Sequence, residues 1–193
     1  LYAEHSFNVS TFTARTITSS LSDIHGAITG AIASLKGPLH GGANEEVMHM
    51  MNKIKKPENA LKWINNALSK KEVVMGFGHR VYKSGDSRVP TMEKYFKNVS
   101  KIKSDKKFIK IYNIVKKVMI DKKNIHPNVD YPTGPTYHLM GFDTDFFTPI
   151  FVTSRITGWS AHIMEQHAAN KLIRPLSKYS GQKHRKVMLL NQR

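Results

Sequence analysis

FIKIYNIVKKVMIDKK, residues 108–123, sets Phe108, Ile111, Val115 and Met119 at intervals of three and four, with lysines between them. That period lays the apolar groups along one side of an α-helix and the ammonium groups along the other, so the stretch predicts a helix that buries one stripe. Reading outward, the same period recurs at Val47, Met51 and Ile54, at Leu61, Ile64 and Leu68, and at Met92, Phe96, Val99 and Ile102. No alternating run points to a substantial sheet. The expectation is an all-α fold. Breaks fall at Gly37-Pro38, Pro57, Gly76 to Gly78, Gly85, Pro90, Pro127, Pro132 and Gly141, where loops join the helices.

Two apolar stretches differ from these amphipathic ones. From Ser19 to Leu35 the chain is built of small and aliphatic residues, with Gly26, Gly30 and Ser34 four apart, a spacing that lets two backbones approach closely. From Phe146 to Met164 the run is apolar nearly all round, interrupted by Pro149, Arg155 and His162. A central arginine among several hydroxyls argues against a membrane span and for a helix buried in protein. A buried guanidinium keeps its proton and needs an anion, either a carboxylate elsewhere in the chain or that of a bound substrate.

With 193 residues, 40% of them hydrophobic, the chain is long enough to bury one large core or two modest ones. The absence of cysteine excludes disulfides and thiolate metal sites and fits a reducing compartment. The opening LYAEHSFNVS has neither a starting methionine nor a signal-peptide layout, which predicts an internal or truncated stretch. A formal charge of +16 calls for an anionic partner or for well-solvated helix faces. The lysines cluster at 53–56, 101–110 and 116–123, where the aromatic residues sit at core spacings and not in an exposed stacking pattern. That counts against a nucleic-acid-binding helical module. His162 and His167 are five apart and do not share a helix face as paired ligands do, so no metal site is expected.

Three short motifs carry the chemistry, and each lies at a break. His40 stands in GPLHGG just before a helix start, where the helix dipole disfavours imidazolium. His79 stands in GFGHRVY, whose glycines let backbone N–H groups approach a ligand. GFG is not a dinucleotide fingerprint. Asp130 stands in HPNVDYP, where an aspartate is most often a helix N-cap. Taken singly, each has a structural reading. Together, two neutral imidazoles and a carboxylate are the minimum for removing a proton beside a carbonyl while polarising that carbonyl and a second one. Arg88 and Arg155 then become candidate carboxylate clamps.

GPLHGGANEEV (37–47), VVMGFGHRVYKSGDSR (73–88), PNVDYPTGPTYHLMG (127–141), FTPIFVTSRITGWSAHIMEQ (147–166) and KLIRPLSKYSG (171–181) resemble, in this order, the successive signatures of the citrate synthase family. The third and fourth are closest in wording to its bacterial 2-methylcitrate synthase branch. The resemblance runs from about His5 to Gly181 and corresponds to the C-terminal catalytic portion of the larger members. It implies an all-α, citrate synthase-like two-domain fold with an incomplete large domain: residues 1–41 in the large domain, 42–143 a small helical domain, 144–193 returning to the large one. Closure of one domain on the other would expel water.

Roles follow from the resemblance position by position. Asp130 would abstract the α-proton of an acyl-CoA thioester, His40 would stabilise the enolate, and His79 would polarise the ketone of oxaloacetate. His5, Arg88 and Arg155 would hold the oxaloacetate carboxylates, with Arg174 supplied by the neighbouring subunit of a homodimer. Val73, Val74, Met75, Gly76 and Phe77 would wrap the coenzyme A, with Arg80 and Lys83 as further candidates for its phosphates. The implied activity is condensation of propionyl-CoA or acetyl-CoA with oxaloacetate, then thioester hydrolysis to free CoA, in the cytoplasm, with no metal and no permanently bound cofactor. The alternatives are a truncated non-catalytic dimerisation fragment or a basic nucleic-acid-binding helical module.

Overall fold

The computed structural model describes residues 1–82, 84–183 and 186–193. It is helical, and no β-strand occurs among the described residues. The elements are α1 (Val9–Ser19), α2 (Ile24–Leu35), α3 (Ala43–Ile54), α4 (Pro57–Ser69), α5 (Val89–Ile102), α6 (Lys107–Lys123), α7 (Asp130–Met140) and α8 (Phe147–Ala168). Short 3-10 turns occupy Thr144–Phe146 and Leu190–Gln192.

The expected stripe on α6 is buried: Phe108, Ile111, Val115 and Met119 join Tyr112 and Val118 inside. Each fully buried aliphatic side chain of this kind stabilises the fold by about 1.5–3 kcal/mol. Asn124 ends α6 in the left-handed conformation at φ 52°, and Gly141 ends α7 at φ 95°. Two stripe residues fall outside. Leu61 and Ile102 are exposed, because α4 buries Ala60, Ile64 and Ala67 one step around the helix and Ile102 is the last residue of α5.

Buried side chains form two clusters. One gathers α3, α4, α6 and α7 and adds Phe96 and Phe147; the other gathers Tyr2, α1, α2 and α8 and adds Met92 and Val129. In the first, Tyr131 stacks on Tyr112 with ring centroids 4.5 Å apart and packs against Phe77. In the second, the Ser19–Leu35 stretch is not one helix. Leu21 adopts φ 65°, and Asp23 caps α2 by accepting the Gly26 N–H at 2.8 Å. The close approach foreseen for its glycines is met at Gly30, where a Cβ would collide with the Ile17 side chain of α1.

α8 is a 22-residue helix that buries one stripe and leaves Thr153, Ile156, Thr157, Ala161 and Met164 exposed, so it is not enclosed all round as its apolar composition suggests. No helix of the described residues is long and apolar enough to cross a membrane. α8 buries Phe151, Arg155, Trp159 and Ile163. Residues 2–5 cross it beside Gly158, where any Cβ would strike the Ala3 carbonyl.

Candidate functional site

His5, His40, His79, Arg88, Asp130 and Arg155 all line one cleft of about 760 Å³, and so do Val73 to Phe77. Tyr2, Glu4 and His5 line it together with the 73–82 loop. Arg80 lies at the cleft with its side chain exposed, and Lys83 lies outside the described residues. Arg174 is exposed and does not line the cleft; its Nη1 reaches only the Pro175 carbonyl, at 3.4 Å.

The protonation of His40 follows from its partners. The backbone N–H of Ser10, in the first turn of α1, donates to His40 Nε2 at 3.2 Å, and Ser10 Oγ lies 2.8 Å from the same nitrogen. An N–H can only donate, so Nε2 is bare and the neutral ring carries its proton on Nδ1. Burial, aided by the Arg155 charge, pulls the ring down to about 4. The N-terminus that holds the ring is that of α1, not of α3, which His40 precedes in sequence.

Asp130 opens α7 without capping it. The cap falls to Asn128, whose Oδ1 accepts the Asp130 N–H at 3.1 Å. The Asp130 carboxyl instead accepts the Tyr2 hydroxyl on Oδ1 at 2.5 Å, leaving Oδ2 without a hydrogen bond among the described residues. Burial pushes this carboxyl up to about 6, against the opposing pull of the Tyr2 hydroxyl and Arg88. Burial, with the Asp130 charge beside it, also raises the Tyr2 phenol well above its ordinary value, so Tyr2 stays a donor. A carboxyl near 6 is ionised at neutral pH and still basic enough to take a proton.

His79 Nδ1 accepts from the backbone N–H groups of Val81 at 3.1 Å and Tyr82 at 3.3 Å, so the neutral ring presents Nε2–H. Burial lowers it, and Arg88 adds to that while Asp86 opposes it. The His5 ring meets His79 edge to face at 5.3 Å, and its Nε2 shares a 2.9 Å hydrogen bond with the Tyr82 hydroxyl. Burial, then the charges of Arg88 and His79, hold His5 low as well. Three imidazoles that resist protonation therefore share the cleft.

Arg88 is gripped from behind by Asp86, Nε to Oδ1 at 2.9 Å and Nη2 to Oδ2 at 2.7 Å. The same carboxylate accepts the Val129 N–H at 3.0 Å, tying Arg88 to the start of α7. This fork leaves Nη1 of Arg88 available to the cleft. Arg155, 1% exposed, donates from Nε to the Tyr2 carbonyl at 2.6 Å, while its Nη1 is buried without a partner. No carboxylate of the described residues lies within 4.0 Å of it, so the internal salt bridge considered from sequence is not formed. Burial, with Arg88 nearby, lowers it to about 10, which still leaves a cation at neutral pH. Arg155 lines the cleft, and a buried guanidinium nitrogen without a partner calls for an anion.

Sequence reasoning missed Tyr2, Ser10, Asp86 and Asn128. Asp86 carried a readable signal, a carboxylate two positions before an arginine. Tyr2 and Ser10 carried none, since their partners lie 128 and 30 positions away.

An all-α scaffold thus gathers imidazoles, guanidiniums and one carboxyl of raised basicity around one cleft. The profile of the family described as citrate synthase, C-terminal domain, matches residues 1–176. The chain is 58% identical over all 193 residues to 2-methylcitrate synthase 2 of Corynebacterium glutamicum, covering 50% of that protein. It is 58% identical over 188 residues to the citrate synthase of Mycolicibacterium smegmatis, covering 97% of this chain and 50% of that one. The citrate synthase of Thermoplasma acidophilum, solved as a ternary complex with carboxymethyl coenzyme A and oxaloacetate, superposes with a TM-score of 0.91 at 37% identity. That match covers 100% of this chain and 52% of the archaeal one. The chain belongs to the citrate synthase family. It spans about half the length of these relatives.

Proposed function

We propose that the protein is an acyl-CoA:oxaloacetate C-acyltransferase of the 2-methylcitrate synthase and citrate synthase type. Asp130 takes a proton from the carbon beside the thioester carbonyl of propionyl-CoA or acetyl-CoA, and His40 donates from Nδ1 to the oxygen that becomes enolic. The nucleophilic carbon then bonds to the ketone carbon of oxaloacetate. The ketone oxygen, polarised by His79 Nε2–H, becomes the product hydroxyl. Water then cleaves the thioester, leaving the new carboxylate and free CoA.

Arg88 Nη1, Arg155 Nη1 and His5 hold the oxaloacetate carboxylates, and Arg174 reaches the site of a partner subunit in a homodimer. The Val73–Phe77 backbone wraps the CoA. The two buried clusters support a small domain at 42–143 and a large one formed by 1–41 and 144–193. The setting is the cytoplasm, a reading that the lack of cysteine supports.

The observation that carries this reading is the pairing in one cleft of an Asp130 carboxyl near 6 with a His40 ring whose only proton is on Nδ1. The test is release of CoA thiol by the intact protein given oxaloacetate with propionyl-CoA or acetyl-CoA, the ratio of kcat/KM values identifying the preferred thioester. Absence of oxaloacetate-dependent thiol release with both would refute it.

A further inference from the structure

Asn128 touches both motifs that carry the reacting groups. Its Nδ2 donates to the Gly78 carbonyl at 3.0 Å, one residue before His79, and its Oδ1 accepts the N–H of Asp130 at 3.1 Å. Backbone pairing already joins the two segments: Gly78 N–H to the His126 carbonyl and Asn128 N–H to the Gly76 carbonyl, both at 2.9 Å, around the Phe77–Pro127 bridge. Gly76 and Gly78 sit at φ 82° and 78°, so this loop follows a path that only glycine takes without strain. The backbone bonds fix that the segments meet. The side-chain amide fixes the peptide that leads directly into His79 relative to the first peptide of α7.

We propose that Asn128 is a positioning residue that locks the ketone-polarising imidazole to the base. The idea rests on the reading of the cleft as a condensation site. One planar amide uses its donor on the His79 arm and its acceptor on the Asp130 arm, so rotation of either arm costs a charge-free but well-aligned hydrogen bond. Aspartate has the shape but no donor for Gly78. Serine can accept the Asp130 N–H as a cap but is too short to reach the Gly78 carbonyl as well.

That difference separates a clasp from an ordinary helix cap. In the intact protein, Asn128→Ala and Asn128→Ser are compared for Tm, for kcat and KM, and for the infrared stretch of the carbon-13-labelled ketone of bound oxaloacetate. Serine is expected to regain the Tm that alanine loses. Both variants are expected to lower kcat by about tenfold to a hundredfold, as small misalignments of reacting groups do, with oxaloacetate KM within about threefold. Both should also lose part of the ketone red shift. If serine restores kcat and the shift together with Tm, Asn128 is only a cap and the proposal falls. If wild-type protein neither shifts the ketone nor releases CoA, the condensation reading itself falls, and the clasp with it.

Discussion

Replacing Asp130 by asparagine tests whether the base is held at an energetic cost. The folded carboxyl stands at about 6 against an ordinary value of 3.8, which at 1.36 kcal/mol per pKa unit amounts to about 3 kcal/mol. Because the side chain is partly open to the cleft, solvent screening reduces this to an expected gain of about 1–3 kcal/mol for Asp130→Asn. A raised carboxyl means that the native state binds the proton more tightly than the unfolded chain does. Wild-type stability from this group therefore falls as pH rises from about 4 to about 6 and is flat on either side. Asparagine still accepts the Tyr2 hydroxyl and has no charge to bury. The variant should match wild type below about pH 4 and exceed it above pH 6, where for a chain of this length Tm rises by about 3–10 °C. Thermal unfolding across pH 3.5–8, followed by circular dichroism without ligands, reads this directly. Condensation should vanish while oxaloacetate binding, measured by calorimetry, survives. An asparagine variant no more stable than wild type at pH 8 would refute the strained-base argument. Loss of oxaloacetate binding along with turnover would refute the assignment of the base.

Tyr2→Phe removes the hydrogen bond that favours the ionised carboxylate, so the acid limb of kcat/KM should move up by about one pH unit; an unmoved limb would sever Tyr2 from the base. His40→Ala should cost about a hundredfold to a thousandfold in kcat, as loss of an oxyanion donor does, and undiminished turnover would remove His40 from the reaction. Gly158→Ala drives a methyl group into the Ala3 carbonyl, so stability should drop by about 1–3 kcal/mol and oxaloacetate KM should rise as His5 shifts. Unaltered unfolding and KM would show that segment 2–5 accommodates the methyl freely.

The helices from α3 to α6 were legible because their stripes repeat locally, and a local repeat needs no knowledge of the rest of the chain. The three motifs were legible for a different reason: glycine, proline and histidine in one short stretch is poor material for a core. What the sequence concealed was pairing. Nothing in HPNVDYP says that Asn128 takes the capping role, because both an asparagine and an aspartate stand near the start of α7 and either can cap. The neutral state of His40 was foreseen from the wrong helix. Sequence order places α3 next to it, whereas packing brings the N–H of Ser10 in α1 to its ring. Arg155 was expected to need an anion, and only the three-dimensional arrangement shows that its Nε is taken by a carbonyl while Nη1 is left over.

The threading of residues 2–5 across α8 also sets when the site comes into being. Arg155 and the Tyr2 carbonyl are 153 positions apart, and the Tyr2 hydroxyl and Asp130 are 128 apart. Closing loops of that span carries a large entropic penalty that local helix formation does not, so these contacts form late. During synthesis α8 is also the last of these parts to leave the ribosome. Helices α3 to α7 can therefore assemble with Asp130 and His79 in place while the wall carrying Tyr2 and His5 is still absent. The Tyr2 hydroxyl thus reaches Asp130, and the Tyr2 carbonyl reaches Arg155, only in one late docking step that completes the cleft.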